Sequence, residues 1–369
     1  MRPTHVCFDP LLDAEQADAM IELCSRFGTY STYGSDAAPE ERGQTRFAPD
    51  VPQRYDAALN FVRTGGRFAQ REEPRMLAAR TNYFRGTYYY EGRGATVAGI
   101  EPLLRHEGFL EAARQIHGRP LVVPAIVYAN LLLPGQELAV HTDVPEFRGA
   151  NRTRVPQWLC VVMLHSGLFD AFRRPIVTGI AYFSDCAGGD LAFYPEGPEQ
   201  PALTIPARHN TAVMMDTDTI FHGVDRVASD DPMPRFKKGM QLRCEGGGTW
   251  LLFDGDRELA HYDMDELRFS VSWKAYCYED EADRRRVENH EDDLSLEQIL
   301  ATLCADLRAR GRLGDERPGD GDLAKLLIDR PQRRRDLKSD PAWGPWGVQL
   351  AGTWSEGRVL ATYEQLRRR

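Results

Sequence analysis

Of the nine histidines in this sequence, two stand in surroundings that suit a metal ion. His141 opens the tripeptide His-Thr-Asp, which puts Asp143 two residues further on. Residues i and i+2 of a strand share a face, so one short segment can offer an imidazole and a carboxylate to the same ion. His222 lies in a strand-like run, NTAVMMDTDTIFHGV, 81 residues beyond His141. Two imidazoles and one carboxylate on one side of a metal leave the opposite positions open to outside ligands. That arrangement suits Fe(II) and its reactions with dioxygen. His165 and His209 have no carboxylate at this spacing and are not expected to be ligands. The glycine motifs of nucleotide sites and the nucleophile elbow of serine hydrolases are both missing.

An isolated His-x-Asp is commonly a turn or a surface pair, so the elements around it matter. From about 121 to 278 the chain is a series of short β-type runs: LVVPAIVYANLLL, QWLCVVML, VTGIAYF, DLAFYP, ALTIPA, NTAVMMD, GVDRV, TWLLF and LRFSVSWKAYCY. Turn residues bound them, such as the glycines at 188–189 and 246–248. In the last run Phe269, Val271, Trp273 and Ala275 alternate with Ser270, Ser272 and Lys274, the period of a half-buried strand. No convincing helix interrupts these runs, which predicts a closed barrel or a two-sheet jelly roll. Helices are expected from Asp13 to a stop at Gly28, over about 100–117, from a Ser295 cap, in DLAKLLIDR and near the C-terminus. The charged stretch 279–294 reads as a solvated connector or helix face. The expected division is 1–120 (helical and loop), 121–278 (core, with an insertion at 228–265) and 279–369 (helical extension).

The order of segments is a β-run with His-Thr-Asp, then GGDLAFYP (188–195), then NTAVMMDTDTIFHGVDRV, then RFSVSWKAY. In that order residues 125–278 resemble the Fe(II)- and 2-oxoglutarate-dependent dioxygenases, particularly their prolyl-hydroxylase-like branch. The resemblance implies a mainly β fold with flanking helices around a double-stranded β-helix (jelly-roll) core. It implies His141, Asp143 and His222 as iron ligands, Arg268 as the partner of the far carboxylate of 2-oxoglutarate, and Ser270 as its assisting hydroxyl. A planar guanidinium is suited to gripping a carboxylate. In the family this arginine follows the second histidine closely, whereas Arg268 follows by 46 residues. Arg235 competes on spacing but sits in polar DDPMPRFKKGM, while Arg268 opens an alternating strand, so Arg268 is preferred. Residues 228–265 then form an insertion whose apolar centre, Trp250 to Phe253, is expected at the barrel mouth, covering substrate.

Other residues carry two readings each. Tyr128 and Asn130 share a strand face and either touch 2-oxoglutarate or serve the core. Trp158 and Tyr182, on predicted strands, either line a substrate pocket or pack. Arg226 is a site residue or a strand-end charge. RTNYFRGTYYY (80–90) is an exposed edge strand or a holder of an anionic or aromatic substrate.

Composition bounds the rest. With 42% hydrophobic and 27% charged residues the chain is an ordinary globular protein, not a disordered one. A net charge of −9 does not give the basic footprint of a nucleic-acid binder. The longest apolar stretch, Leu121 to Leu133, is broken by Pro124 and Asn130 and falls short of the ~20 residues that span a bilayer. Seven dispersed cysteines with no C-x-x-C pair suit reduced thiols, and no secretory leader is seen. The expectation is a soluble cytoplasmic oxygenase that uses Fe(II), 2-oxoglutarate and O₂ to hydroxylate a small molecule, with no nucleic-acid or membrane partner. A homodimer is left open. Asp143 fills the position that halogenating relatives leave to chloride. Desaturation, cyclisation, a cupin-like metal enzyme without 2-oxoglutarate and a catalytically silent binding barrel stand as alternatives.

Overall fold

A computed structural model describes residues 2–32, 47–51, 83–197, 200–229 and 239–329, with the single positions 53, 55, 58 and 62. The strands before the core are β1 (His5–Phe8), β2 (Thr29–Ser31), β3 (Phe84–Tyr90) and β4 (Gly94–Ala95). Then follow β5 (Leu121–Leu132), β6 (Leu138–His141), β7 (Glu146–Phe147), β8 (Arg173–Arg174), β9 (Ile176–Tyr182), β10 (Leu191–Tyr194), β11 (Leu203–Ile205), β12 (Thr211–Met215) and β13 (Phe221–Val224). The last four are β14 (Gln241–Gly246), β15 (Thr249–Asp254), β16 (Arg257–Asp263) and β17 (Arg268–Tyr278).

A large sheet runs in the order β1-β12-β9-β17-β5-β3-β2-β14-β15-β16, and a small one in the order β11-β10-β13-β6. The chain passes back and forth between them: β5 to β6, β9 to β10 and β11, β12 to β13, and finally β17. All these strands pair antiparallel. This is a double-stranded β-helix, mainly β with helices around it.

The alternation in β17 positions the site. Phe269, Val271, Trp273 and Ala275 are fully buried against the helical layer. There Trp273 meets Phe109 at 5.4 Å between ring centroids and donates its indole N–H to the Leu104 carbonyl at 3.1 Å. Phe109 belongs to the helix Glu107–His117, whose close approach needs a bare strand below it. A Cβ on Gly179 would lie 2.9 Å from the Phe109 ring. The opposite face of β17, with Arg268, Ser270, Ser272 and Lys274, is left to the space between the sheets.

The predicted first helix is Ala14–Phe27, with Asp13 Oδ1 accepting the Gln16 N–H and Gly28 turning the chain away at φ 82°. The expected helix over 100–117 is two, Glu101–Leu104 and Glu107–His117, because the extended His106 caps the second and accepts the Phe109 N–H. Ser295 does cap Leu296–Ala309, in a capping box with Gln298.

Four expectations are corrected. QWLCVVML is not a strand but the helix Gln157–Ser166, a helix within the β series, and every residue from Trp158 to Ser166 is buried. A run apolar on all sides has no period to betray its type. Trp158 therefore packs in a second core with the helices Leu296–Ala309 and Asp320–Ile328 and does not line a substrate pocket. β3 is an interior strand between β2 and β5, not an edge. The insertion does not fold over the mouth as a hairpin. β14, β15 and β16 extend the large sheet beyond β2, with Trp250 and Leu252 buried in its core and Trp250 at 5.6 Å from the Tyr30 ring. Arg80, Arg235 and the C-terminal segment from 330, with its expected short helix, lie outside the described residues. β1 to β4 belong to the large sheet itself, so the described strands before residue 120 are part of the scaffold. Among the described residues no helix is long and apolar enough to cross a membrane.

Candidate active site

The register of β13 against β6 places His222 directly opposite His141, with their rings 4.4 Å apart between centroids. β6 ends at His141, and the backbone continues by donating the Asp143 N–H to the Thr217 carbonyl at 2.9 Å. That bond turns the carboxylate back toward the imidazoles, with Asp143 Oδ1 at 3.9 Å from His141 Nε2. One ligand atom from each of His141, Asp143 and His222 lies within 4.8 Å of the others. Among the described residues no other such group of His, Cys, Asp or Glu comes together. His222 Nδ1 is 2.9 Å from the Ile220 carbonyl, which can only accept, so this nitrogen carries the proton and Nε2 keeps its lone pair. Burial lowers the His222 pKa, which favours the neutral imidazole that a metal requires.

Lys274, at the far end of the cleft face of β17, donates to Asp143 Oδ2 at 2.6 Å. Burial works to raise the Asp143 pKa, but Lys274 and the two imidazoles outweigh it and hold the carboxyl well below the usual range. Asp143 is thus ionised with one oxygen tied and the other turned toward the histidines. Behind it Arg173 grips Asp216 at 2.8 and 2.9 Å and reaches Asp218 at 3.4 Å. Asp216 is lowered by this pairing, despite its burial. Asp218 is pushed up to about 7 by burial, only partly offset by Arg173 and aggravated by Asp216. Thr178 and Thr217 close the floor with a hydroxyl pair at 2.7 Å.

The other end of the face differs. Arg268 is 2% exposed, yet its hydrogen-bond partners are all neutral. Nε donates to the Gly189 carbonyl at 2.5 Å, Nη1 to Ser270 Oγ at 3.2 Å and Nη2 to the Tyr182 hydroxyl at 3.3 Å. Asp190 feels this charge through space, while burial raises its own pKa. Gly189 is needed here for room: with φ at 70°, a Cβ would stand 2.8 Å from Arg268 Cδ. The glycine pair before DLAFYP therefore lets a loop close onto the arginine.

His141, Asp143, His222, Arg268, Ser270, Tyr128 and Asn130 all line one cleft with a cavity volume of about 70 Å³. Of the residues with two readings, Tyr182 meets the site through its hydroxyl on Arg268, while Trp158 packs elsewhere. Arg226 is not among the lining residues, though its carbonyl accepts the Gly189 N–H. His165 is buried in its helix, and His209 lies 3.7 Å from Asp18, both away from the triad. Lys274, Ser272 and Thr217 escaped the sequence reading. Lys274 had a signal, since it shares the period-two face of Arg268, but its partner lies 131 residues away.

Neither a family model nor a curated protein sequence matches the chain. Several solved structures are similar in fold. A prolyl hydroxylase from Trichoplax adhaerens, in complex with a hypoxia inducible factor peptide fragment, is 12% identical at TM-score 0.39, covering 76% of this chain and 86% of its own. An oxidoreductase of the 2OG-Fe(II) oxygenase family from Burkholderia pseudomallei is 10% identical at TM-score 0.36, covering 74% and 85%. HygX from Streptomyces hygroscopicus, solved with nickel, 2-oxoglutarate and hygromycin B, is 9% identical at TM-score 0.37, covering 74% and 83%. No chemistry is carried over from likenesses of this order, and the site stands on its own geometry.

Proposed function

We propose that the chain is an Fe(II)- and 2-oxoglutarate-dependent oxygenase acting on a small molecule, with hydroxylation as its reaction. The observation that carries the reading is Arg268. A nearly inaccessible guanidinium held only by neutral oxygens is costly to bury, and it shares a cleft with a convergent His/Asp/His set. A dicarboxylate that reaches from metal to guanidinium satisfies both.

The donor set fits Fe(II): two imidazole nitrogens and one carboxylate oxygen, with open positions opposite. His141, Asp143 and His222 would hold the ion, and Arg268 with Ser270 would hold the far carboxylate of 2-oxoglutarate. When bound, the pair supplies oxidising power from O₂, one oxygen atom leaving in succinate as CO₂ is lost and the other entering a substrate C–H bond. The chain's own contribution is positional. Lys274 fixes the Asp143 carboxylate, the Ile220 carbonyl fixes the His222 tautomer, and Leu132, Ile180, Leu191 and Val224 make the cleft wall apolar. Such a wall limits water around the reacting atoms.

The test is a turnover screen with Fe(II) and 2-oxoglutarate against amino acids and other metabolites under ¹⁸O₂. Succinate together with one labelled oxygen in the product supports hydroxylation. Loss of two hydrogens without label would instead indicate desaturation or ring closure. Absence of 2-oxoglutarate-dependent succinate would return the chain to the cupin-like or silent-barrel alternatives.

A further inference from the structure

A second uncompensated guanidinium stands beside the same cleft. Ser270 is paired in register with Asn130, and Asn130 with Arg85 of β3, so the three lie in one row on one face of the large sheet. At the usual spacing between strands Arg85 is about 10 Å from Ser270 along that row. Its guanidinium carbon lies 3.9 Å from the centroid of the Tyr128 ring, and Tyr128, like Asn130, lines the cleft. The Arg85 Nε is buried without a hydrogen-bond partner, and no described carboxylate pairs with the side chain.

Stacking does not by itself leave an arginine without an acid. Arg174 lies over Tyr276 at the same 3.9 Å and still pairs with Glu146 at 3.0 Å. Arg148 lies over Phe172 at 5.0 Å and pairs with Asp292 at 2.7 Å. Arg85 has the aromatic platform and lacks the acid. The row holds another unfinished polar group: Asn130 donates through Nδ2 to Ser272 Oγ at 2.9 Å, while its Oδ1 is buried and unpaired.

We propose that Arg85 is the recognition residue for the substrate, and that the substrate class is small carboxylic acids. This rests on the oxygenase reading and adds the ligand that reading leaves open. A guanidinium fork matches one carboxylate in charge and in plane; a phosphate dianion would need more donors than this row has. Tyr128 separates Arg85 from the metal triad, so an acid held on Arg85 lies across one aromatic ring from the reacting position. Its carboxylate is anchored there, and its carbon chain is free to extend toward His141 and His222. Arg268, deeper in the cleft, is left for 2-oxoglutarate.

The experiment uses the full chain loaded anaerobically with Fe(II) and 2-oxoglutarate, whose visible charge-transfer band reports ligands near the metal without turnover. The probes are the common L-amino acids, each beside its C-terminal amide. At least one acid should perturb the band where its amide does not. The concentration needed should rise at least about tenfold in Arg85→Gln and recover in part in Arg85→Lys, as for loss of a charge-assisted pair. Band intensity before the acid is added reads loading in each variant. Equal responses to acid and amide, no response to any acid, or an unchanged response in Arg85→Gln would overturn the proposal. Weakened 2-oxoglutarate loading in Arg85→Gln with the acid response intact would also overturn it, by moving Arg85 to the cosubstrate. Failure to form the band in the unaltered protein would count against the oxygenase reading itself.

Discussion

The two ends of the cleft face of β17 handle buried charge in opposite ways. At one end Lys274 is matched by Asp143, and behind them Arg173 is matched by Asp216. At the other, six residues along the same strand, Arg268 is met only by a carbonyl and two hydroxyls. Solvation does not explain the difference, since Arg268 is among the least exposed residues of the chain. On the oxygenase reading proposed above, the balanced charges brace a metal ligand and the open one receives the far carboxylate of 2-oxoglutarate. The comparison teaches which charges are scaffold and which are receptor.

The largest expected effect comes from emptying the metal end. His141→Ala or His222→Ala should abolish Fe(II) binding and turnover while thermal unfolding stays cooperative, because both rings line the cleft. Metal titration followed by calorimetry checks it, and wild-type affinity in either variant would remove the triad. Next comes the receptor end. Loss of a charged, bidentate partner costs about 2–4 kcal/mol, so Arg268→Gln should raise the apparent 2-oxoglutarate constant at least about tenfold with metal affinity little changed. Arg235→Gln should leave that constant where it was; the reverse pattern would exchange the two arginines.

Lys274→Gln sharpens the contrast from the scaffold side. It removes the group that holds Asp143, and groups behind a ligand are worth about 10–100-fold in metal affinity. Metal binding should weaken by such a factor in direct titration, while 2-oxoglutarate affinity measured at saturating metal moves less. An effect confined to 2-oxoglutarate would make Lys274 a cosubstrate residue and dissolve the division between the two ends.

How much of this was legible depends on the range of the interaction. Arg268, Ser270, Ser272 and Lys274 keep strand period, so local spacing was enough to place them on a shared face, whereas β6 ends at His141 and Asp143 meets the histidines through its backbone bond to Thr217 and not through strand period. The segments between were legible as strands from their short, turn-bounded, β-forming runs even where every residue is buried, as in β9, β10, β12 and β13. Helix Gln157–Ser166 was not, since a run buried on every side has neither amphipathic period. The apolar Trp250 and Leu252 suggest a cover; that Trp250 faces Tyr30, from a strand 220 residues earlier, and that both are buried in the sheet's core is tertiary information. The Lys274–Asp143 and Arg173–Asp216 pairs were hidden for the same reason. Charge partners far apart in sequence leave no pattern in it.

The smallest expected effect concerns Asp218, the scaffold charge that is least well matched. Arg173 offers both oxygens of Asp216 short bonds and Asp218 a longer one, so one guanidinium serves two buried carboxyls and Asp218 is the one that holds a proton more tightly. Its folded pKa, about 7, lies above the ordinary value of 3.8. A group raised in this way contributes stability that is fully present below the unfolded pKa and is lost as pH rises through the folded one. The unaltered protein should therefore lose stability between about pH 4 and pH 7 from this group, by at most about 1.4 kcal/mol for each pH unit. Asp218→Asn keeps the shape, stays neutral and should be free of that loss. In metal-free protein, denaturant midpoints of the variant should gain on those of the parent as pH rises from about 5 to about 8. A difference that stays flat over this range would show Asp218 ionised on Arg173 throughout, making the metal end fully paired and the contrast with Arg268 sharper than drawn.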